Sequence, residues 1–313
     1  MTRLTIFQLC PFSDYLEGQL NERFDVVRLF EMSEADRQSA LSRHGEAPCG
    51  VATGGHIGCP TPLMDALPGL GVVAINGVGF DKVDLDVARA RGIRVSTTPG
   101  TLTDDVADLA IGLIIGLLRN LPAADAHVRS GAWLAGQMPS GSKVTGRRFG
   151  IFGLGHIGSA IADRLRAFGP VHYTGPNRKD VDLPFHVDLA DLARTVDVLI
   201  LASSANATTR HIVNADILKA LGPDGYLINI ARGSLIDEEA LITALADGTI
   251  SGAALDVFEE EPQVPDALRT SDKVMLTPHI ASATVETRLA MADLVLANLT
   301  AYAAGTDLPT AIV

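Results

Sequence analysis

Three polar side chains stand just beyond short apolar runs in the second half of the chain. Arg232 follows Leu227-Ile228-Asn229-Ile230-Ala231, Glu261 lies shortly after Ala253-Ala254-Leu255-Asp256, and His279 follows Val274-Met275-Leu276-Thr277-Pro278. A guanidinium forks onto a carboxylate and polarises a neighbouring carbonyl. An imidazole, with an ordinary pKa near ~6.5, exchanges a proton near neutrality in either direction. A carboxylate bonded to the far ring nitrogen orients that imidazole and favours its protonated form. Anchor, proton donor and orienting group are the parts needed to interconvert a 2-oxo and a 2-hydroxy acid, given a source of hydride. Asp256 is suited to accept a hydrogen bond from a nicotinamide carboxamide and so to fix which face of that ring is offered. Each residue has a plainer reading: a surface ion pair for Arg232, a cap for Glu261 or Asp256, a satisfied histidine after a proline for His279. Their joint arrival at successive strand ends favours one reactive rim, because open parallel sheets bind ligands outside the carboxyl ends of their strands.

The hydride source is legible upstream. Gly153-Leu154-Gly155-His156-Ile157-Gly158 fits G-x-G-x-x-G, follows the apolar run Phe149-Gly150-Ile151-Phe152, and opens a segment with Ile157, Ile161, Leu165 and Phe168 on one helical face. In that setting the first glycine allows a tight turn, the second lets a pyrophosphate approach the backbone, and the third lets helix and strand pack closely. The alternative is a purely structural glycine turn. The next strand, Val171-His172-Tyr173-Thr174, ends at Gly175, where an NAD site carries an acid for the ribose hydroxyls. Asn177-Arg178-Lys179 follow and suit a 2′-phosphate, so NADP(H) is expected to be preferred with NAD(H) possible; otherwise Arg178 and Lys179 are solvated loop charges.

Short apolar runs at residues 4–7, 26–27, 51–52, 72–75 and 93–95 alternate with segments of helical period, the pattern of a parallel sheet covered by helices on both faces. A second series begins at Phe149 and ends at Leu276. The segment from Thr103 to Leu121 reads as one buried helix, and that from Val285 to about Ala304 as a helix belonging to either series. With 313 residues the chain has room for two domains. Hydrophobic residues make up 47% and charged residues 20%, as in globular proteins rather than disordered ones. Twenty-five lysines and arginines against 37 aspartates and glutamates give a net charge of −12, which argues against nucleic acid and anionic lipid as partners. The start Met1-Thr2-Arg3-Leu4-Thr5-Ile6 carries no long apolar stretch, so a cytoplasmic protein is expected. Cys10, Cys49 and Cys59 are too few for a disulfide framework, and no His-Glu-x-x-His pattern marks a zinc site.

Over essentially its full length the sequence resembles the D-isomer-specific 2-hydroxyacid dehydrogenases. The resemblance is carried by Asn76-Gly77-Val78-Gly79-Phe80-Asp81-Lys82-Val83-Asp84, Leu102-Thr103-Asp104-Asp105-Val106-Ala107-Asp108, the glycine turn, Asn229-Ile230-Ala231-Arg232-Gly233, Leu255-Asp256-Val257-Phe258 with Glu261-Pro262, and Thr277-Pro278-His279-Ile280. Within the family it is most similar to the glyoxylate/hydroxypyruvate and hydroxyphenylpyruvate reductases, which favour NADPH. The resemblance implies two doubly wound parallel-sheet domains: a Rossmann cofactor domain, residues 99–285, inserted in a flavodoxin-like substrate domain, residues 1–98 plus 286–313. It implies catalytic roles for Arg232, Glu261 and His279, backbone contacts from Val78 and Gly79 to the substrate carboxylate, and cofactor contacts that include Ile230 and Ala231. A homodimer is implied too, joined through the helix from Thr103 and the segment from Arg129 to Trp133. Two departures bear on the cofactor: Pro176 replaces a polar residue often found after the strand, and His156 stands where the family usually has arginine or lysine. Two rivals share the fold. A formate dehydrogenase-like enzyme is expected to pair its histidine with glutamine rather than Glu261, and a nucleotide-sensing binding protein has no need of all three catalytic side chains.

Overall fold

The computed structural model describes residues 3–313; Met1 and Thr2, the start of the segment read for a signal peptide, lie outside the described residues. The fold has two compact units. One runs up to Leu102 and resumes as Ala283–Val313; the other is Thr103–Ser282.

In the first unit, strands β1 (Thr5–Gln8), β2 (Asp25–Arg28), β3 (Cys49–Gly54), β4 (Leu70–Asn76) and β5 (Arg94–Ser96) form a parallel sheet in the order β2-β1-β3-β4-β5. This is the flavodoxin-like order, with its switch point between β1 and β3. Alternate residues of β4 explain why its sequence is an unbroken apolar run. Val72 and Ala74 pack with Leu16, Leu20, Val295 and Leu299 on one face, while Val73 and Ile75 pack with Met64, Leu67 and Val95 on the other. Each such buried valine, leucine or isoleucine contributes about 1.5–3 kcal/mol of transfer free energy. The helix Val285–Ala303, left unassigned by its sequence pattern, packs on β4 and on the helix Asp14–Arg23, and so completes this unit.

The second unit holds seven parallel strands: β6 (Phe149–Phe152), β7 (Val171–Thr174), β8 (Phe185–His186), β9 (Val198–Leu201), β10 (Tyr226–Asn229), β11 (Gly252–Leu255) and β12 (Val274–Leu276). Their order is β12-β11-β10-β9-β6-β7-β8, the doubly wound dinucleotide-binding order extended by one strand. β8 was not anticipated: two residues are too few to show a period, and it is held by the Thr174 hydroxyl donating to the His186 carbonyl at 2.8 Å as well as by the ladder. The segment from Thr103 to Leu121, expected as one helix, is two, Thr103–Leu118 and Leu121–Arg129, meeting at 62°. Asn120 adopts a left-handed φ of 53°, and Pro122 sits in the first turn of the next helix, where it needs no amide hydrogen. Arg164 ties Thr103–Leu118 to the helix His156–Leu165 through Asp104 at 2.9 Å and Asp108 at 2.6 Å. Among the described residues no single helix is long and apolar enough to cross a membrane.

Candidate active site

The glycine turn shows why three glycines are needed. Gly153 has φ 99°, outside the range of side-chain-bearing residues, and a Cβ there would sit 2.7 Å from Ser203 Cα. A Cβ on Gly158 would come within 2.0 Å of the Gly153 carbonyl oxygen, so only glycine lets the helix His156–Leu165 start against β6. Gly155, at the N-cap, has nothing within 4 Å of its would-be Cβ, and this open side of a helix N-terminus is where a pyrophosphate fits. Leu154 is buried, Ile157 half-buried and His156 exposed. At the end of β7, Gly175 is likewise open, and Asn177, Arg178 and Lys179 are exposed. The loop holding them is pinned from below: the Lys179 amide donates to the Tyr173 hydroxyl at 2.8 Å, and that hydroxyl donates to the Lys179 carbonyl at 3.3 Å.

The registers Asn229↔Leu255 and Leu255↔Leu276 align the carboxyl ends of β10, β11 and β12. Arg232, Asp256, Glu261 and His279 leave the sheet there, on adjacent strands. His279 Nδ1 lies 2.7 Å from Glu261 Oε2. A carboxylate only accepts, so Nδ1 carries the hydrogen of this bond. The other oxygen, Glu261 Oε1, accepts from the Phe258 amide at 3.1 Å, which ties the carboxylate to its own turn. His279 itself has φ 53°, a conformation unusual for a side-chain-bearing residue and frequent at functional sites.

Asp256 accounts for that backbone. It is wholly buried, and its Oδ1 accepts from the Thr277 hydroxyl at 2.6 Å and the Ile280 amide at 2.9 Å, while Oδ2 accepts from the Ala281 amide at 3.0 Å. The His279 amide donates to the Asp256 carbonyl at 2.8 Å. The turn bearing His279 is thus wrapped around one carboxyl group, whose pKa burial raises above the ordinary range even though the three donors and the His279 charge pull it down. Oδ2 retains acceptor capacity for one further donor.

Asn229 does the same for Arg232. Buried at the end of β10, it donates from Nδ2 to the Arg232 carbonyl at 2.8 Å and accepts at Oδ1 from the Ala231 amide at 3.0 Å. The Arg232 guanidinium donates to the Ala231 carbonyl at 2.8 Å; Ile230 is buried and Ala231 half-buried beside it. A Cβ on Gly233 would fall 1.9 Å from the Phe258 carbonyl carbon, so the arginine turn and the glutamate turn touch backbone to backbone. Asn229, Thr277 and Phe258 were not singled out from sequence. A buried polar residue closing an apolar strand was the available signal for Asn229; Phe258 acts through its amide, which no side-chain pattern reveals.

Val78 and Gly79 belong to the first unit, in the loop after β4. Gly77 there has φ 156° and accepts from the Thr98 amide at 2.9 Å, and a Cβ on Gly55 would lie 2.9 Å from the Gly79 carbonyl oxygen. The loop therefore sits at the carboxyl edge of its own sheet, between β3 and β5.

Residues 111–281 match the D-isomer specific 2-hydroxyacid dehydrogenase, NAD binding domain. The chain is 44% identical to glyoxylate/hydroxypyruvate reductase A of Arabidopsis thaliana and 42% identical to hydroxyphenylpyruvate reductase of Plectranthus scutellarioides, covering 100% of each and of itself. It is similar to the crystal structure of the NADPH-dependent glyoxylate/hydroxypyruvate reductase of Sinorhizobium meliloti in complex with NADP and malonate, with a TM-score of 0.90 and 44% identity over 99% of this chain and 97% of that one. The chain is an oxidoreductase and belongs to the D-isomer-specific 2-hydroxyacid dehydrogenase family.

Proposed function

We propose that this protein uses NADPH to reduce a short 2-oxo acid of the glyoxylate or hydroxypyruvate type to the D-2-hydroxy acid. The observation that carries the reading is the 2.7 Å contact between Glu261 and His279 Nδ1, which assigns the transferable proton to Nε2. When bound, the reduced nicotinamide supplies the hydride that adds to C2. Arg232 pairs with the substrate carboxylate and polarises its carbonyl. His279 Nε2 gives its proton to the developing alkoxide, and Glu261 steadies the imidazolium before transfer. Asp256 would accept from the carboxamide of the ring, and residues 153–158 with Ile230 and Ala231 would line the dinucleotide. Asn177, Arg178 and Lys179 take the 2′-phosphate; the NADP-bound Sinorhizobium enzyme, 44% identical, supports that preference. Domains at residues 99–285 for the cofactor, and 1–98 with 286–313 for the substrate, fit this division of work.

The enzyme acts as a homodimer on this reading. Leu121, Val128, Trp133 and Leu134 expose apolar side chains on one stretch of chain, Leu134 at 96% and Trp133 at 64%, more than a lone folded chain gains from. The test of the function is NADPH oxidation followed at the nicotinamide band with a panel of 2-oxo acids. Turnover of glyoxylate and hydroxypyruvate is expected, with the D-enantiomer formed from hydroxypyruvate and an NADPH rate above the NADH rate. Failure with every 2-oxo acid would refute the proposal.

A further inference from the structure

Beside the Glu261–His279 pair lies a second histidine–carboxylate pair to which the reaction assigns no part. His211 Nε2 stands 2.7 Å from Glu259 Oε1, and the Arg210 guanidinium reaches the same oxygen. Glu259 is two residues from Glu261, in the turn after β11. Its amide donates to Glu238 Oε1 at 2.9 Å, so side chain and backbone are both clamped. Burial pushes the Glu238 carboxyl above its ordinary range and the charges of Glu259 and Glu260 push the same way, against the pull of the Glu259 amide and of His211.

At its other end His211 grips the arginine turn. The His211 amide donates to the Ser234 carbonyl at 2.8 Å, and Val213 bridges in parallel to Ile236, with the Val213 amide on the Leu235 carbonyl at 3.0 Å and the Asp237 amide returning to the Val213 carbonyl at 3.0 Å. One residue therefore spans from the turn that carries Arg232, by its backbone, to the turn that carries Glu261, by its ring. Between these two turns Gly233 leaves no space for a Cβ against Phe258, the residue whose amide holds Glu261 Oε1. His211 does this with φ 50°, a conformation that glycine adopts freely and histidine does not. The imidazole is kept where the backbone alone would favour its absence.

We infer that His211, through Glu259, is a positioning residue that fixes the Glu261 carboxylate on His279 relative to Arg232. It touches no reacting atom. A displaced turn lets the Glu261 carboxylate swing off Nδ1, and the imidazole is then no longer presented in one orientation to the carbonyl oxygen.

The inference rests on the acid–base reading of Glu261 and His279, and the left-handed backbone supplies a clean test. His211→Gly removes the ring in a conformation glycine prefers, so the fold is retained; His211→Gln restores a donor at the reach of Nε2. With NADPH and glyoxylate, His211→Gly is expected to lower kcat about tenfold, since small misplacements of catalytic groups have large effects. Its KM for NADPH should stay within about twofold because the change removes only the ring bonded to Glu259 and leaves the backbone contacts with Ser234 and Leu235 in place, and His211→Gln should recover most of the loss. In a Glu261→Gln background, His211→Gly should cost little more, as expected of residues acting through one another. Wild-type kcat in His211→Gly, a loss that His211→Gln does not relieve, or an equal loss in both backgrounds would overturn the positioning role alone. Wild-type turnover in Glu261→Gln would overturn the acid–base reading, and this inference with it.

Discussion

His279 is held in a strained backbone conformation by a carboxyl group that is not the one bonded to its ring. Asp256 and Glu261 divide the labour: one shapes the turn, the other orients the ring. Asp256→Ala strips acceptors from three donors, and should destabilise the fold by ~3 kcal/mol, as three lost hydrogen bonds of about 1 kcal/mol each would; the midpoint of urea unfolding measures it. Asp256→Asn sets an amide where one more acceptor is needed, so it should keep the fold but lower kcat by at least about tenfold as the His279 turn loosens. A wild-type kcat for Asp256→Asn would mean the turn keeps its shape unaided. At this scale the sequence was informative where chemistry is carried by side chains. Arg232, Glu261 and His279 could be singled out because polar residues ending apolar runs stand out. The holding of Glu261 by the Phe258 amide, and of Asp256 by the Ile280 and Ala281 amides, could not, because amides are present at every position and only the fold selects among them.

Among the elements, the strand-turn-helix from Phe149 to Leu165 makes the sharpest prediction, since its glycines fail for different reasons. Gly158→Ala forces a Cβ to within 2.0 Å of a backbone oxygen, and is expected to lower the thermal midpoint and weaken NADPH binding together. Gly155→Ala meets no protein atom and has an ordinary φ of −88°, so stability should be unchanged while NADPH affinity falls about tenfold or more. Calorimetry of both proteins, with and without NADPH, separates the two; equal destabilisation would contradict the assignment of Gly155 to the cofactor. In the neighbouring β7 loop, the double change Arg178→Ala and Lys179→Ala should raise KM for NADPH about tenfold or more and leave KM for NADH nearly unchanged, because only the 2′-phosphate distinguishes the two. Strands as apolar runs were readable from sequence; the break at Asn120 and the two-residue β8 were not. The first turns on one left-handed residue inside a continuous apolar pattern, and the second on pairing to a strand already formed.

Across the whole molecule, apolar runs buried on both faces account for two parallel sheets, while their orders, β2-β1-β3-β4-β5 and β12-β11-β10-β9-β6-β7-β8, were expected only from the family resemblance. The apolar spacing of the helix Val285–Ala303 suits packing on either sheet, and only the family resemblance gave residues 286–313 to the substrate domain; the contacts are with β4. Stability should depend on pH through Asp197, which anchors the start of β9 to Arg148. Burial pushes this carboxyl up, but the Arg148 side chain at 2.7 Å and its amide at 2.7 Å outweigh burial and hold it below the ordinary range. A depressed carboxyl contributes its stability above the unfolded pKa near ~3.9 and loses it as pH falls through the folded value. Asp197→Asn should therefore lower the unfolding free energy by about 1 kcal/mol at pH 7, and the gap should close as the pH drops below about 4.

The central claim is that the His279 imidazole, aligned by Glu261, is the proton donor. Comparing the wild type with His279→Ala by NADPH oxidation with glyoxylate, alongside NADPH binding by fluorescence titration, tests it most directly. The expected result is a fall in kcat of about 10²–10⁴-fold with NADPH affinity nearly unchanged. Retained turnover in His279→Ala would contradict it.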